Sequence, residues 1–455
     1  MMKEKILTTK ERISFTVAAF GRSGIYTIMS MFLLRFYTDA AGIDPIVAGY
    51  IILGGRVFDA LNDPLMGYIV DHTKSKWGKM RPYLLFSPLP IGIATVLLFF
   101  TPSFQSMGAK IAYAAVTYIL WGICFTVQDV PFWGLSSVIT PLESERTSFI
   151  STARLGSTAG GIIPTVLIPL FIADNALGLK KGFFVSAIIF AVLGTVLSSL
   201  AFFNTKERVE QTKESLPLKT TVKAVMSNKV LIIVVLSTVL GSTTVMANVS
   251  ASYVYNYLVE DSGIIPQGIL LTAMTVAIGV GMVPAMVLLP FLRKRFSLKA
   301  IYIGASVFGV ISHLALWFIG YSNIYVLLIC FIFMGIPLGI YNVITYALIA
   351  DSADYARWKS GVHIEGVCFA FQTFLSKVSA GIATFATSVV LKVSNFVQPI
   401  NDVIQPQSET TKDGLFFMIT LLPVIGFALA IIPMIFNDYT GKKKEEVQAE
   451  LAGKR

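Results

Sequence analysis

Charged residues are scarce in this chain of 455 residues, because Asp, Glu, Lys and Arg together make up only 14% of it. A soluble domain carries about 25% charged residues, so too few are present here to cover a water-facing surface. Apolar residues of the set AVILMFWYC make up 55% of the chain, and 33 residues are Phe. This composition argues against a disordered chain, a soluble enzyme and a nucleic-acid binder, and it indicates a protein surrounded by lipid.

Cysteine and histidine are equally rare, with three residues of each. The cysteines lie in apolar stretches without C-x-x-C spacing, and no carboxylate stands at a metal-binding spacing from a histidine. The chain also lacks a nucleophile elbow, a P-loop and a zinc signature. The sequence therefore predicts no catalytic residues, no cofactor and no metal site at these cysteines and histidines. The basic N-terminus has no cleavage site and predicts a retained cytoplasmic end.

Apolar runs long enough to cross a membrane recur along the chain. About 20 helical residues span the roughly 30 Å of hydrocarbon in a bilayer. We predict twelve such helices, at approximately 13–38, 45–70, 83–101, 108–140, 149–173, 182–203, 229–258, 265–292, 299–320, 324–350, 362–391 and 414–437. The predicted fold class is an all-α membrane protein with twelve transmembrane helices.

The basic residues support this count. Of the 36 Lys and Arg, 26 fall on the side shared with the N-terminus. Five fall on the other side, namely Lys110, Lys180, Lys181, Lys392 and Lys412, and five lie within or at the edge of helices, namely Arg22, Arg35, Arg56, Arg154 and Lys377. Because basic loops stay in the cytoplasm, both termini are predicted to be cytoplasmic. The net charge of +10 thus needs no nucleic acid to explain it.

The longest hydrophilic connection divides the helices into two groups of six. The predicted parts are an N-terminal bundle at 1–203, a cytoplasmic loop at 204–228, a C-terminal bundle at 229–437 and a cytoplasmic tail at 438–455. This layout is that of a major facilitator transporter, in which the substrate binds near the midplane between two rocking halves.

Charged residues inside the second helix are the first candidates for a site. Arg56, Asp59 and Asp63 share one helical face with Asn62 beside them. A charge at the bilayer centre costs about 2.5–3.5 kcal/mol, so each needs a partner or water. One Arg cannot neutralise two carboxylates, and these oxygens therefore predict part of a small-cation site. The alternative is a fixed salt-bridge cluster that holds helices together.

The fourth and fifth helices add polar groups of a different kind. Thr126, Asp129 and Trp133 lie one turn apart, and Arg154 follows in the fifth helix. A Trp beside charged groups is suited to a sugar, whose apolar face stacks on the ring while its hydroxyls bind the charges. The alternatives are that Trp133 anchors the protein at the membrane interface and that Arg154 extends to water.

Two further helices carry charges. Arg22, one turn before Tyr26, is too deep in the first helix to reach water, whereas Arg35 is expected to reach the outer interface. Lys377 in the eleventh helix requires an acidic partner, for which the candidates are Asp59, Asp63 and Asp129. Gln372 and Thr373 precede Lys377 by about one turn and are predicted to line the same polar cavity.

Five motifs resemble those of the glycoside-pentoside-hexuronide:cation symporters of the major facilitator superfamily. They are FYTDAAGI, RVFDALNDPLMGYIVDHTKSKWGKMRPY, DVPFW, ADSADYARWKSG and FQTFLSKVSAG, and the resemblance covers nearly the whole chain. It implies a secondary active symporter in the bacterial inner membrane, acting as a monomer. It also implies that Asp59 and Asp63, with Thr126 nearby, bind the cation, that Asp129, Trp133 and Arg154 bind sugar, and that Lys377 contacts the acidic cluster.

The same resemblance implies a cytoplasmic gate. Its predicted members are Asp71, Lys79, Arg81, Asp351, Asp354 and His363. Ion pairs among such residues form in one conformational state and break in the other. His363 stands where the family often has Arg, which predicts greater pH sensitivity of the gate.

The sequence leaves the substrate and the coupling ion open. A well-studied family member has Lys followed by Asp where this chain has Arg22 and Ser23, so recognition of galactosides is in doubt. The unbalanced Arg favours a hexuronide or another anionic sugar, and a neutral pentoside oligomer is the alternative. Two carboxylates beside a hydroxyl suit Na⁺, yet the carboxylates can also share a proton. A uniporter or exchanger of the same fold and, remotely, a membrane enzyme acting on a glycosidic substrate are the rival functions.

Overall fold

The computed structural model describes residues 6–104, 106–173, 176–208, 226–259, 267–360, 365–400 and 402–453. In these ranges the secondary structure is helical, apart from one isolated antiparallel bridge between Ile400 and Val403. The prediction of an all-α protein is therefore confirmed. The chain divides into two compact units.

The first unit comprises Met1–Lys213 together with two later segments, Pro266–Thr272 and Val397–Pro406. Its helices are α1 Thr9–Arg35, α2 Pro45–His72, α3 Arg81–Phe86, α4 Pro88–Leu98, α5 Met107–Val138, α6 Glu143–Ile172 and α7 Leu179–Asn204. A π-helical turn, Phe36–Ala40, extends α1. Buried side chains from α1, α2, α5, α6 and α7 form an apolar cluster near one end of this unit.

The second unit comprises Glu214–Ile265, Ala273–Phe396 and Gln407–Arg455. Its longer helices, with α9 counted whole, are α8 Lys229–Leu240, α9 Gln267–Leu292, α10 Leu298–Ile319, α11 Ile324–Ser360, α12 Glu365–Val393, α13 Glu409–Ile419, α14 Leu421–Ile435 and α15 Gly441–Gly453. Short helical turns also form between α8 and α9, at Met246–Val249, Ala251–Tyr253 and Val254–Leu258. Side chains of α8, α9, α10, α11 and α14 form its largest described apolar cluster. The charged tail thus contains a helix, α15, that the sequence analysis does not predict.

Each of the twelve predicted membrane segments coincides with one or more of these helices. By length and apolar composition, nine helices among the described residues can cross a membrane, or ten when the bent pair Lys229–Leu240 and Ser242–Leu258 counts as one span. Helix α2 falls outside this set because Arg56, Asp59 and Asp63 lower its hydropathy. The third predicted segment is divided into the short helices α3 and α4. The multi-pass architecture is confirmed, although not every segment is an uninterrupted apolar helix.

The predicted helix over 229–258 is interrupted. Helix α8 ends at Leu240, and after a 50° bend the chain continues as a 3₁₀ turn, Ser242–Val245. Hydroxyl groups of this turn donate to the carbonyl oxygens of Val239 and Gly241 at 2.5 and 2.7 Å. These side-chain hydrogen bonds to backbone carbonyl oxygens stabilise the irregular backbone beside the break, which at membrane depth must find its hydrogen bonds within the protein.

Close packing holds α1 in place within the first unit. Gly156 and Gly160 of α6 lie against α1 at Thr16 and Phe20, where a Cβ at either glycine would overlap a backbone carbonyl oxygen. Small residues one turn apart let two helix backbones approach closely, which is a common way to pack helices in lipid. The next turn of α1 carries Arg22, whose position is therefore fixed relative to α6.

Arg35 does not reach the outer interface, so that prediction is wrong. Only 1% of Arg35 is exposed, and its Nε donates to Asp39 Oδ2 at 3.1 Å. Asp39 lies in the π-helical turn and also accepts a hydrogen bond from the Thr38 hydroxyl at 2.7 Å. A buried charge is tolerated when it has such a partner, and the ion pair therefore replaces contact with water.

Candidate functional site

Helices α2 and α5 of the first unit pack together in a regular register. Three residues one turn apart on α2 face three residues one turn apart on α5: Gly55 faces Tyr118, Asp59 faces Gly122, and Asp63 faces Thr126. Because the facing residues advance together along both helices, the two helices run parallel. Their interface brings together the acidic residues of α2 and the polar residues of α5 that the sequence predicts as a cation site.

Asp59 is enclosed in this interface, with 5% of the residue exposed. A Cβ at Gly122 would overlap the Asp59 carboxylate oxygen Oδ1, so glycine leaves the space that the carboxylate occupies. The sequence analysis missed Gly122. The signal was its spacing, since Gly122 lies one turn before Thr126 on the same face of the helix.

Arg56 lies one turn before Asp59 on α2 and is also buried, with 4% exposed. Its charge acts on Asp59 and on the phenols of Tyr26 and Tyr118. The guanidinium carbon is 5.7 Å from the centre of the Tyr26 ring, and Nη2 is 3.6 Å from the sulfur of Met29. Arg56 thus compensates part of the negative charge of Asp59.

Asp63 is less enclosed than Asp59. The Thr126 hydroxyl donates to Asp63 Oδ1 at 2.9 Å, and Thr126 itself is 1% exposed. Asp63 and its neighbour Asn62 are half-buried. Carboxylate and hydroxyl oxygens of this kind are the ligands that hard cations prefer. The structure therefore places Asp59, Asp63 and Thr126 along one interface.

Asp129, one turn beyond Thr126, is bound to a different partner. Its Oδ1 accepts a hydrogen bond from Arg22 Nη1, and Arg22 is 6% exposed. Three rings of α5 surround the guanidinium group, whose carbon is 4.8 Å from the ring centre of Phe132, 5.3 Å from Trp133 and 5.5 Å from Phe125. Cation–π attraction and the ion pair together stabilise this buried charge. The sequence analysis missed both Phe residues, which are indistinguishable from lipid-facing ones by composition.

Trp133 lies close both to Arg22 of this ion pair and to Arg154 of α6, the fifth predicted helix. The guanidinium carbon of Arg154 on α6 lies 4.0 Å from the centre of the Trp133 ring, and the Arg154 residue is exposed. Trp133 also packs edge-on against Phe132, with ring centres 5.3 Å apart. Two guanidinium groups therefore lie within cation–π distance of one indole ring. A sugar that stacks on this ring must displace Arg154 or use it as a ligand.

In the second unit, Lys377 lies on α12 with its side chain half-buried. Gln372 and Thr373 belong to the same helix, but their side chains lie outside the described part of the chain. The predicted contact of Lys377 with the acidic cluster joins residues of different units and stays a prediction.

The second unit also contains a cavity of about 310 Å³ beside the break after α8, lined by both apolar and hydroxyl-bearing residues. The described residues that line it include no acidic or basic side chain; six of the polar ones are Ser237, Thr238, Ser242, Asn342, Thr345 and Ser379. Thr238 and Thr345 donate to carbonyl oxygens one turn earlier, both at 2.8 Å, and their own oxygens can still accept hydrogen bonds. Ser237 is 0% exposed, and its hydroxyl has no hydrogen-bond partner among the described residues.

Two of the predicted gate residues of the first unit, Lys79 and Arg81, lie beside the carboxylate of Glu207. Backbone N–H groups of Lys79, Met80 and Arg81 donate to Glu207 at 2.9, 2.8 and 3.0 Å. Successive N–H groups at the start of a helix form a site for an anion, here the start of α3. The Arg81 guanidinium donates to the carbonyl of Phe202 at 2.9 Å. The side chain of Asp71 lies outside the described part.

The predicted gate residues of the second unit include one strong ion pair. Lys444 of α15 donates to both carboxylate oxygens of Asp351 at 2.6 Å. Asp354, one turn later on α11, is half-buried, and His363 lies outside the described residues. The charged tail therefore folds back on α11, a contact that local sequence patterns do not predict.

Comparison with known proteins identifies the family. Residues 14–441 match the family described as MFS/sugar transport protein. The isoprimeverose transporter of Lactiplantibacillus pentosus is 29% identical over 450 residues, which cover 96% of this chain and 90% of the relative. The glucuronide carrier protein homolog of Escherichia coli (strain K12) is 26% identical over 458 residues, covering 99% and 96%.

Among solved structures, the crystal structure of a D-xylose-proton symporter superposes with a TM-score of 0.67 at 13% sequence identity, covering 96% of this chain and 98% of that one. This likeness shows a shared fold over almost the entire length. The chain accordingly belongs to the MFS/sugar transport protein family and, within it, to the glycoside-pentoside-hexuronide:cation symporters that its motifs resemble.

Proposed function

We propose that this protein takes up a sugar by secondary active symport with Na⁺ or H⁺, through alternating access. The observation that carries the proposal is the α2–α5 interface. There, the hydroxyl of Thr126 contacts Asp63 one helical turn from Asp129, which pairs with Arg22, and Asp59 lies one turn further along the same interface. Membership of a sugar transport family supports a sugar as cargo, and enclosed acidic residues support coupling to a cation.

The cation binds at Asp59, Asp63 and Thr126 in this proposal, with oxygens from Asn62 and Asp129 completing the site. The carboxylates of Asp59 and Asp63 lie one turn apart on α2, so binding a cation or a proton between them lowers their mutual repulsion. The Thr126 hydroxyl, which donates to Asp63, supports Na⁺ as the coupling ion, because its oxygen can serve as a further ligand of Na⁺. A proton shared by the carboxylates requires no further oxygen ligand.

The ion pair between Arg22 and Asp129 links the cation to the sugar. An anionic or hydroxyl group of the sugar that binds Arg22 releases Asp129, which lies one turn from Thr126 and can then face the cation. A cation at that place in turn holds Asp129 away from Arg22 and leaves Arg22 for the sugar. Each ligand therefore raises the affinity for the other by the same factor.

The sugar site consists of Arg22, Tyr26, Asp129, Trp133 and Arg154 in the first unit. Two guanidinium groups at one indole support a substrate with a carboxylate, such as the glucuronides named for one relative. The neutral, hydroxyl-lined cavity of the second unit supports a substrate rich in hydroxyl groups, which a disaccharide such as isoprimeverose also supplies. From the second unit we assign Gln372, Thr373 and Lys377 to the sugar as well.

The protein lies in the bacterial inner membrane as a monomer, with both termini in the cytoplasm. In the same proposal, Asp71, Lys79, Arg81, Asp351, Asp354 and His363 form the cytoplasmic gate. The basic loops on the side of the N-terminus support this orientation.

Transport by purified protein in liposomes tests the proposal. Labelled isoprimeverose and a labelled glucuronide are offered under an inward Na⁺ gradient at fixed pH, and separately under a pH gradient without Na⁺. Symport predicts that at least one sugar accumulates above its external concentration under one gradient and leaves when an ionophore collapses that gradient. Uptake that only equalises the concentrations indicates a uniporter or exchanger, and a chemically altered sugar indicates a membrane enzyme.

A further inference from the structure

A second cavity in the second unit, of about 350 Å³, contains none of the residues proposed to bind the sugar or the cation. It lies where the turn between α9 and α10 meets the start of α15. Five basic residues line it, namely Arg293, Lys294, Arg295, Lys299 and Lys444, against two acidic ones, Asp351 and Glu445. Since Lys444 already binds Asp351, most of the remaining charge of the lining is positive.

The cavity also contains the start of α10, a helix of 22 residues. Ser297 caps this helix, with its hydroxyl oxygen accepting the N–H of Ala300 at 3.2 Å. The partial positive charge at a helix N-terminus favours anions. Lys299 donates to the carbonyl oxygens of Ile435 and Asn437 at 2.5 and 3.0 Å, and it thereby fixes the end of α14 beside this helix start.

A buried hydroxyl group supplies an independent indication of a ligand. Tyr439 lines the same cavity and is 1% exposed, and its hydroxyl has no hydrogen-bond partner in the part of the chain that the structure describes. Burial, reinforced by the charges of Asp351 and Asp354, raises the pKa of the Tyr439 phenol. The hydroxyl therefore stays protonated near neutral pH and is a donor for an acceptor oxygen.

Exposed aromatic residues mark the lipid side of this cavity. Phe291 and Phe296 flank the basic turn and are 60% and 55% exposed. The ammonium group of Lys294 lies 5.5 Å from the centre of the Phe291 ring. Aromatic side chains beside basic ones are typical of the boundary between hydrocarbon and lipid headgroups. An anion that reaches this place most directly is a phospholipid headgroup.

We propose that this cavity binds a phosphate group, presented by an anionic phospholipid such as phosphatidylglycerol. The phosphate oxygens accept hydrogen bonds from Arg293, Arg295 and the N-terminus of α10, and an acceptor oxygen of the headgroup takes the Tyr439 hydroxyl. The acyl chains then lie against Phe291 and Phe296. This site is separate from the sugar and cation residues, and the proposal does not depend on symport.

Native mass spectrometry of the full-length chain in detergent tests this proposal. It counts the lipids bound to the protein and requires no transport. We compare phosphatidylglycerol with phosphatidylcholine for the wild type, for the double variant Arg293→Gln, Arg295→Gln, and for Tyr439→Phe. The matched control is Lys10→Gln, Lys206→Gln, which removes the same charge from exposed positions outside the cavity. We expect phosphatidylglycerol affinity to fall roughly thirtyfold in the double variant, since each basic residue contributes separately, and about fivefold in Tyr439→Phe.

The affinity of the control variant for phosphatidylglycerol should equal that of the wild type. The affinity for phosphatidylcholine should be the same in all variants. Equal loss in the control and the double variant would overturn the proposal, because the attraction would then be a general effect of charge. Full retention by both cavity variants would overturn it as well. A further arm adds inorganic phosphate: displacement of the lipid at micromolar phosphate contradicts the lipid as the source and assigns the cavity to a soluble phosphate compound.

Discussion

Asp59 and Asp63 face the same helix, yet the atoms around them give them different environments. Asp59 is buried against Gly122, whereas Asp63 is half-buried and accepts a hydrogen bond from Thr126. The buried carboxylate carries the larger desolvation cost, so a bound cation stabilises it more. Substitutions of the two α5 residues therefore test the cation site without touching either carboxylate.

Gly122→Ala should weaken the activation of transport by the cation. The added methyl group overlaps Asp59 Oδ1, so the carboxylate must move from its present position. We expect a roughly 10- to 100-fold higher cation concentration for half-maximal uptake, as for other changes that misplace a cation ligand. Gly108→Ala on the same helix is the control, because a Cβ there meets nothing within 4 Å. Equal cation dependence of both variants would contradict the assignment of Asp59.

Thr126→Val should distinguish between the two coupling ions. It replaces the hydroxyl that donates to Asp63 by a methyl group of similar shape, and Thr126→Ser restores the hydroxyl. For Na⁺ we expect the activation constant to rise roughly tenfold in Thr126→Val and to stay near the wild-type value in Thr126→Ser. Proton-driven uptake should change much less. A similar defect in both variants would indicate that packing, and not the oxygen, is what matters.

At the scale of secondary-structure elements, the loop between α2 and α3 binds the segment that follows α7. The carboxylate of Glu207, in this segment, accepts hydrogen bonds from three successive backbone N–H groups at the start of α3. A Cβ at Gly78, which has φ of 103°, would also overlap the Glu207 carboxylate. The loop motif thus has a structural role within the unit as well as its proposed role in the gate.

Glu207→Ala should therefore destabilise the protein. Three N–H groups lose a charged acceptor, and water replaces it only in part because the loop is half-buried. We expect a loss of about 1–3 kcal/mol in the free energy of unfolding, seen as a lower melting temperature in detergent. Glu446→Ala on the exposed side of α15 should leave the melting temperature unchanged. If both variants melt like the wild type, the three hydrogen bonds contribute nothing measurable.

The helices and the charged members of the candidate site can be predicted from the sequence for one physical reason, which is that charged residues are scarce. Against an apolar background, Arg22, Asp59, Asp63 and Asp129 are visible as costly exceptions. Gly122 and the rings around Arg22 are not visible in this way, because small and aromatic residues also suit lipid-facing surfaces. The contacts of Glu207 and Lys444 join residues far apart in the chain, so they require the fold. The break after α8 was missed because Gly241 and the short polar run at 242–244 are too few residues to interrupt the long apolar pattern over 229–258.

For the whole molecule, the proposed orientation follows from the basic loops and is open to a direct test. Single cysteines replace Lys10, Lys181 or Lys442, all exposed, in a chain whose three native cysteines are changed to Ala. In intact cells, a membrane-impermeant maleimide should label only the cysteine at position 181, and all three positions after solubilisation. Labelling at position 10 or 442 in intact cells would contradict cytoplasmic termini.

The central claim is that Asp59 and Asp63 couple a cation to sugar transport. The most direct measurement compares gradient-driven accumulation with sugar counterflow in liposomes for Asp59→Asn, Asp63→Asn and the control Asp402→Asn, whose carboxylate pairs with Lys180. The sugar is whichever of isoprimeverose and the glucuronide the wild type accumulates. We predict that Asp59→Asn and Asp63→Asn each abolish accumulation and retain counterflow, while Asp402→Asn behaves like the wild type. Normal accumulation by both α2 variants would contradict the claim.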